Sequence, residues 1–344
     1  MISTPDRPDD DRPAAAATSA ERTWSDPGQI VRAILREDPI YSASEVADES
    51  GISLDQARRL WRALGFPEAD GNAVYTASDA GALRALGTSI ESGLLDFDLA
   101  VAITRALGQT MARLADWEVG ALTHRVDEMH HAGPAPGDRV DTALRMLDDL
   151  SDGFESLMVY AWRRHLAAAV SRIMALDPDD DLNTTELTVG FADIVSFTAL
   201  SNDLSRQRIG DLVELFESRC ADVVAGQRGR VIKSIGDSVL FVNDDPIRAY
   251  DTAEGIINVI GRDSRMPDVR LGLATGGVVM RLGDVFGPPV NMAARLTAVA
   301  RRNRIIVDAA MAALLPADQF ETRRLPARPV RGFGLVEPVA VRRH

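Results

Sequence analysis

Two aspartates, one lysine and an Asn–Arg pair are the residues whose types and spacing could do chemistry. Asp193 lies at the end of an apolar run, Leu187-Thr188-Val189-Gly190-Phe191-Ala192-Asp193-Ile194, and Asp237 sits in the break between two others, Ile235-Gly236-Asp237-Ser238-Val239. Either acid alone reads as a cap or turn residue. Two at the ends of buried strands can converge at a sheet edge, where carboxylates suit Mg²⁺, a hard cation that shares its coordination with water and substrate phosphates. Lys233 stands four residues before Asp237, among Val231, Ile232 and Ile235, and is the only lysine beside 37 arginines. A coding bias accounts for the arginines, and a strand lysine can simply snorkel to water. An ammonium is nevertheless a compact point donor that a planar guanidinium does not replace at a narrow site. Further on, Gly287-Pro288-Pro289 should break the chain before a helix that carries Asn291 in its first turn and Arg295 at i+4 on the same face. A helix start with an amide and a guanidinium makes an anion or oxyanion site. The plain alternative is an Asn cap beside a surface arginine.

The elements that must position these residues alternate in type. Leu187–Ile194 reads as a strand and residues 209–224 as an amphipathic helix. Val231–Ile235 and Val239–Val242 form a hairpin turning on Gly236-Asp237. Helices follow over 249–260 and 290–299, strands over 269–274 and 304–307, and a closing hairpin over 330–341. Such alternation predicts a layered sheet with helices. Upstream the signal is helical from Ile30 to His131, with Leu54, Ala57, Leu60, Trp61 and Leu64 at helical spacing. After the break at Gly133-Pro134-Ala135-Pro136-Gly137, Asp138 can cap a helix running toward Val170, and Asp177-Pro178-Asp179-Asp180-Asp181 reads as a linker. The expected organisation is a disordered leader over 1–26, a helical domain over 27–132, a connecting helix and linker over 133–182, and an α/β domain over 183–344.

Composition bounds the function. The chain has 344 residues and a formal charge of −13, which argues against non-specific binding to DNA or anionic lipid. Its single cysteine, Cys220, excludes an intrachain disulfide and a multi-cysteine zinc site. No run of 18 apolar residues occurs, so no membrane-spanning helix is expected, and a cytoplasmic location follows. There is no Gly-x-x-x-x-Gly-Lys-Ser/Thr loop and no Gly-x-Ser-x-Gly elbow.

Taken together, Phe191-Ala192-Asp193-Ile194-Val195-Ser196-Phe197-Thr198, Lys233-Ser234-Ile235-Gly236-Asp237-Ser238 and Asn291 to Arg295 resemble the class III nucleotidyl cyclase catalytic domain over about 186–341. The resemblance implies a ferredoxin-like α/β fold, so that the whole chain is α+β, with a helical regulatory domain first. It implies that Asp193, Asp237 and the carbonyl of Ile194 hold two Mg²⁺ or Mn²⁺ ions. It further implies that Lys233 and Asp284 read the adenine edge of ATP, that Asn291 orients the ribose and that Arg295 stabilises charge on the α-phosphate. The products would be cyclic AMP and pyrophosphate. Family sites combine residues of two subunits, which implies a head-to-tail homodimer. Two departures stand out: Gly276-Gly277 replace a basic residue after the fourth strand, and Phe333 lies where some members carry a lysine. Arg281 and Arg331 are nearby substitutes, neither assigned.

The helical half offers two readings. Tyr41 to Gly65 is similar to a helix-turn-helix, which suggests, as the alternative function, a nucleotide-sensing DNA-binding regulator with an inactive cyclase-like domain. Seven acids against four arginines between Tyr41 and Leu86 argue against it. The half also resembles the N-terminal domain of pH-responsive bacterial class III adenylate cyclases, which implies inhibition at neutral pH and room for a fatty acid. His124, His130, His131 and His165 flank the inter-domain helix, and His124, His130 and above all His165 are the candidate pH-sensing residues.

Overall fold

The computed structural model describes residues 27–66, 74–133, 138–174, 184–281 and 283–344. The expected leader and most of the expected linker lie outside them. The chain divides into two compact units, residues 1–167 and 168–344.

In the first unit the described residues are helical: α1 Pro27–Leu35, α2 Ala43–Ser50, α3 Leu54–Leu64, α4 Ala77–Glu91, α5 Phe97–Ala132 and α6 Arg139–Met174, the last running across the division. Helices α2, α3 and α4 each start where the sequence provides a cap. Ser42, Ser53 and Thr76 accept from the backbone three residues on, and Glu45, Gln56 and Asp79 reach back to close capping boxes. Asp138 accepts from Asp141 N at 2.8 Å, capping α6 as expected. Val46, Ala57, Leu60, Trp61, Tyr75 and Leu83 form the core, with the Trp61 and Tyr75 rings stacked 4.1 Å apart. The α2–turn–α3 pair has the helix-turn-helix outline, but Arg59 is engaged at home, with its guanidinium over the Phe97 ring and 3.5 Å from Asp98.

The second unit contains β1 Thr184–Ile194, α7 Phe197–Asp203, α8 Arg206–Gly226, β2 Arg230–Ile235, β3 Ser238–Asn243, α9 Pro246–Gly261, β4 Val269–Arg281, β5 Asp284–Phe286, α10 Pro288–Val299, β6 Ile305–Val307, α11 Ala309–Leu314, β7 Phe320–Arg324, β8 Arg328–Val330, β9 Gly334–Val336 and β10 Val339–Arg343. The main sheet has the order β2-β3-β1-β4-β6-β10-β7, with β5 paired to β4. Strands β1 to β4 with α8 and α9 make a ferredoxin-like βαββαβ unit, its neighbours all antiparallel. The pleat sorts residues by parity. Ala192, Ile194, Leu271 and Leu273 face Phe216, Tyr250 and Ile256 of α8 and α9, while Leu187, Val189, Ala274 and Val278 pack with Ala293 of α10. Asp193 shares its parity with Leu187 and Val189, so it belongs to the α10 face.

Two elements differ from expectation. Strand β4 continues through Gly276-Gly277 to Arg281, because β1 pairs with it along its length, from Ile194↔Val269 to Thr184↔Val279. Pairing on a long neighbour overrides the local weakness of two glycines. The segment expected as one closing hairpin splits into a separate β8–β9 ribbon and β10, which joins the main sheet between β6 and β7.

The position of α10 depends on Gly272. A Cβ there would lie 2.3 Å from Thr297 N and 2.5 Å from Ala293 O, so the helix backbone rests directly on the strand. Gly272→Ala should therefore cost about 1–3 kcal/mol, the usual penalty of overpacking. Urea unfolding would show the loss, and an unchanged midpoint would mean that α10 is not seated by this contact.

Candidate active site

The predicted residues occupy three places in the second unit. At the first, the end of β1 meets the β2–β3 turn. Gly236 adopts φ +62°, a conformation that glycine takes without strain, and this brings Asp237 back so that Ile194 N donates to its carbonyl at 3.1 Å. Asp193 pairs across the sheet with Ser238 on one side and Arg270 on the other. Ser238 Oγ donates to its Oδ1 at 2.5 Å and Arg270 Nε to its Oδ2 at 2.6 Å. Burial holds the Asp237 carboxyl above the usual carboxylate range, and the nearby charge of Asp193 adds to this. Among the described residues no three His, Cys, Asp or Glu side chains gather into a metal-binding group. Asp193 and Asp237 thus bring two carboxylates to this corner. Such a hard oxygen set, short of a full shell, fits Mg²⁺ or Mn²⁺ shared with substrate phosphates.

At the second place Lys233 Nζ lies 2.5 Å from Asp284 Oδ2. The β2–β3 register shifts between Val231 and Lys233, and such a bulge re-aims the side chain that follows it. Partial burial would raise the Asp284 carboxyl, but hydrogen bonds from Lys233 and from Val285 N, with the lysine charge, hold it below the usual range.

At the third, Asn291, Arg295, Gly287, Pro288, Arg331 and Phe333 line a concavity of about 480 Å³. The helix start itself offers less than the sequence suggests. Pro288 and Pro289 carry no N–H, and Val290 N is already bonded to Gly287 O at 3.2 Å. Anion binding there falls to side chains. Arg331 is brought beside Arg295 by the β8–β9 ribbon, whereas Arg281 stands opposite Asp284 in the β4–β5 register.

The candidate pH-sensing histidines do not form one cluster. His130 Nε2 lies 3.4 Å from Thr142 Oγ1, His124 Nε2 lies 3.5 Å from Glu128, and His165 is exposed. Thr142 and His165 are 23 residues apart on α6, about 35 Å at the helical rise. The first unit also holds a cavity of about 320 Å³ between α1, α5 and α6, with Ile34, Met111, Leu114, Leu147, Phe154 and Met158 in its lining. Arg36 at its edge is bound to Asp152 at 2.9 Å.

A ferredoxin-like sheet with acids at the β1 end and the β2–β3 turn, and an Asn–Arg helix on the opposite layer from α8 and α9, defines a nucleotidyl cyclase catalytic domain. The model of the adenylate and guanylate cyclase catalytic domain matches residues 181–341, and that of the adenylate cyclase regulatory domain matches residues 23–125. An adenylate cyclase of Streptomyces coelicolor is 35% identical over 348 residues, covering 91% of this chain and 90% of that protein. One from Streptomyces griseus is 34% identical, covering 89% and 86%. A pH-sensitive adenylate cyclase of Mycobacterium tuberculosis is 28% identical, covering 91% and 81%. The chain belongs to the class III adenylate cyclases and is an adenylate cyclase enzyme. Among its described residues no helix is long and apolar enough to cross a membrane.

The sequence did not point to Ser238 or Arg270, and it offered Arg331 only as an unassigned substitute. The first two could have been found from strand register, since they are the cross-strand neighbours of Asp193. The depressed Asp284 carboxyl gives a test of the second place. A carboxyl lowered in the folded state contributes stability above its unfolded pKa and loses it as pH falls through the folded value. Carbon-13 titration should find Asp284 ionising below the ordinary carboxylate range in the native protein, and higher in Lys233→Met. An equal midpoint in both would mean that the lysine is not the cause.

Proposed function

We propose that the chain works as a cytoplasmic homodimer whose two sites each convert ATP to 3′,5′-cyclic AMP and pyrophosphate with two divalent ions. The observation that carries this reading is the Lys233–Asp284 pair, set apart from Asp193 and Asp237 although Lys233 and Asp237 share one hairpin. A nucleotide has its base at one end and its phosphates at the other, so one hairpin serves both ends best by contributing to two sites. The metal acids of one protomer then meet Lys233, Asp284, Asn291 and Arg295 of its partner.

Asp193, Asp237 and the Ile194 carbonyl hold the two ions, Mg²⁺ or Mn²⁺. Bound there, the ions would favour ionisation of the substrate's ribose 3′-hydroxyl and neutralise triphosphate charge, so that O3′ bonds to the α-phosphorus as the bond to the pyrophosphate leaving group breaks. Adenine replaces an existing bond: Lys233 Nζ donates to N1 and Asp284 accepts from the N6 amine. Guanine presents an N1–H to the lysine and O6 to the carboxylate, leaving both groups mismatched. Asn291 orients the ribose, and Arg295 stabilises the charge that develops on the α-phosphate. Arg331, in the same concavity, holds the outer phosphates in place of the basic residue that Gly276-Gly277 lack.

Lys233→Arg keeps the charge but not the single-point geometry. It should retain the native circular dichroism and lose roughly 10- to 100-fold in ATP turnover, the worth of one hydrogen bond to a charged group. Asp193→Asn should be inactive alone. Mixed in equal amounts, the two should recover about a quarter of wild-type activity, because half the dimers then hold one intact site of two. A mixture no better than its parts would end the shared-site reading.

Residues 27–132 serve as the regulatory domain, 133–182 as its connection and 183–344 as the catalytic domain. We assign the regulatory domain control by pH, by a fatty acid, or both. Support comes from the pH-sensitive relative, from the histidines His124, His130 and His165, and from the apolar cavity with Arg36 at its edge. Cyclase activity recorded from pH 5 to 8 should differ in profile between the wild type and His165→Ala; superimposable profiles remove His165 from the switch.

A further inference from the structure

Arg270 sits at the start of β4, on the face that carries α10, and its guanidinium makes two bonds in different directions. Nε donates to Asp193 Oδ2 at 2.6 Å, and Nη1 donates to the Ala298 carbonyl at 3.3 Å, in the last turn of α10. The side chain is about one-third exposed at 32%, against 13% for Asp193, so the fork lies at the rim and the carboxylate inside it. On the other side Ser238 Oγ closes on Oδ1. Asp193 is therefore held at both oxygens, each by a cross-strand neighbour, and each oxygen keeps a further lone pair for a cation.

From this geometry we infer that Arg270 is a positioning residue for the catalytic metal site: it fixes the Asp193 carboxylate plane and ties that plane to the helix bearing Asn291 and Arg295. The inference rests on Asp193 being a metal ligand. The link to α10 matters because the same last turn is seated on β4 at Gly272, and Thr297 Oγ1 donates to Ala293 O at 2.8 Å and to Phe191 O at 3.4 Å. Asp193 and the α10 of its own chain, which in the proposed dimer serves the other site, are thus referenced to one another through three strand residues, Phe191, Arg270 and Gly272. An untethered carboxylate would have to be ordered by the ion itself, and loss of such an outer contact commonly weakens metal binding.

The charge and the tether make opposite predictions. A guanidinium near a cation repels it, so if charge were its only role, Arg270→Met would bind Mn²⁺ more tightly. The positioning role requires weaker binding. Electron paramagnetic resonance of free Mn²⁺, titrated into the full-length protein without nucleotide, reads the sign directly. Arg270→Met should bind about 10- to 100-fold more weakly, with Arg270→Lys between it and the wild type because a single donor remains. In turnover assays the Mn²⁺ concentration for half-maximal rate should rise in the same order. Ser238→Ala, which removes the opposite tether and leaves the charge, should also weaken Mn²⁺ binding, and it keeps the idea testable should Arg270→Met fail to fold. Unchanged or tighter Mn²⁺ binding in folded Arg270→Met, or in Ser238→Ala in its place, overturns the assignment. Asp193→Asn separates the two levels of argument: if it binds Mn²⁺ as the wild type does, the metal role of Asp193 fails and the positioning role falls with it.

Discussion

The register of β1 between β3 and β4 is the constraint on which the rest of the site depends. It places Ser238, Asp193 and Arg270 in one row across three strands. Side chains alternate with a period of two, so a slip of one residue would turn Asp193 toward the apolar layer under α8 and α9 and send Ile194 outward. The register is held by buried residues on both faces, by Ala192 and Ile194 against one layer and by Leu187 and Val189 against the other. A strand buried on both sides cannot slide without exposing one set. The chain thus fixes the Asp193 carboxylate by burying its apolar neighbours.

The polar row is then closed by bonds too specific to be incidental to packing. Ser238 and Arg270 approach Asp193 from opposite strands, and the arginine reaches on to α10. A carboxylate in a half-buried corner beside a second carboxylate faces like-charge repulsion and partial desolvation, both of which raise the Asp237 carboxyl. One guanidinium at the rim offsets part of that charge and leaves the remaining lone pairs of Asp193 for a cation. Stability and function use the same contacts here, since what orders the corner without a ligand also shapes it for one.

Much of this was legible in the sequence, for local reasons. The hairpin about Gly236-Asp237, the helix after Gly287-Pro288-Pro289 and the cap at Asp138 are set by residues within a few positions of one another. The lone Lys233 pointed to its own importance by composition. What escaped was non-local or negative. Arg270 reads as an ordinary strand arginine until the register puts it opposite Asp193, 77 positions away. The strand expected over 269–274 stops short of Gly276-Gly277, and only pairing with β1 carries it on to Arg281. The histidines look gathered along the sequence, yet 23 residues of α6 separate His165 from the Thr142 that His130 meets. The two prolines that announce α10 also remove the backbone donors that a helix start would normally offer an anion.

The two prolines also explain why side chains, not backbone donors, line the concavity at this helix. With Pro288 and Pro289 at the first turn, α10 is a rigid mount rather than an anion site, and Arg295, one turn beyond Asn291, supplies the positive charge itself. The same division holds at the Lys233–Asp284 pair, the proposed adenine reader. There a bulge in β2 and the first residue of β5 set an ammonium against a carboxylate, so the polar groups satisfy one another until a base with complementary polarity separates them. On the proposed assignment, selectivity for adenine follows from what a wrong base would leave unpaired, and this costs more than a right base gains. A lysine suits that exchange because its point charge can move from Asp284 to a ring nitrogen by a small swing, whereas an arginine fork seated on the same carboxylate would have to give up a planar contact to do it.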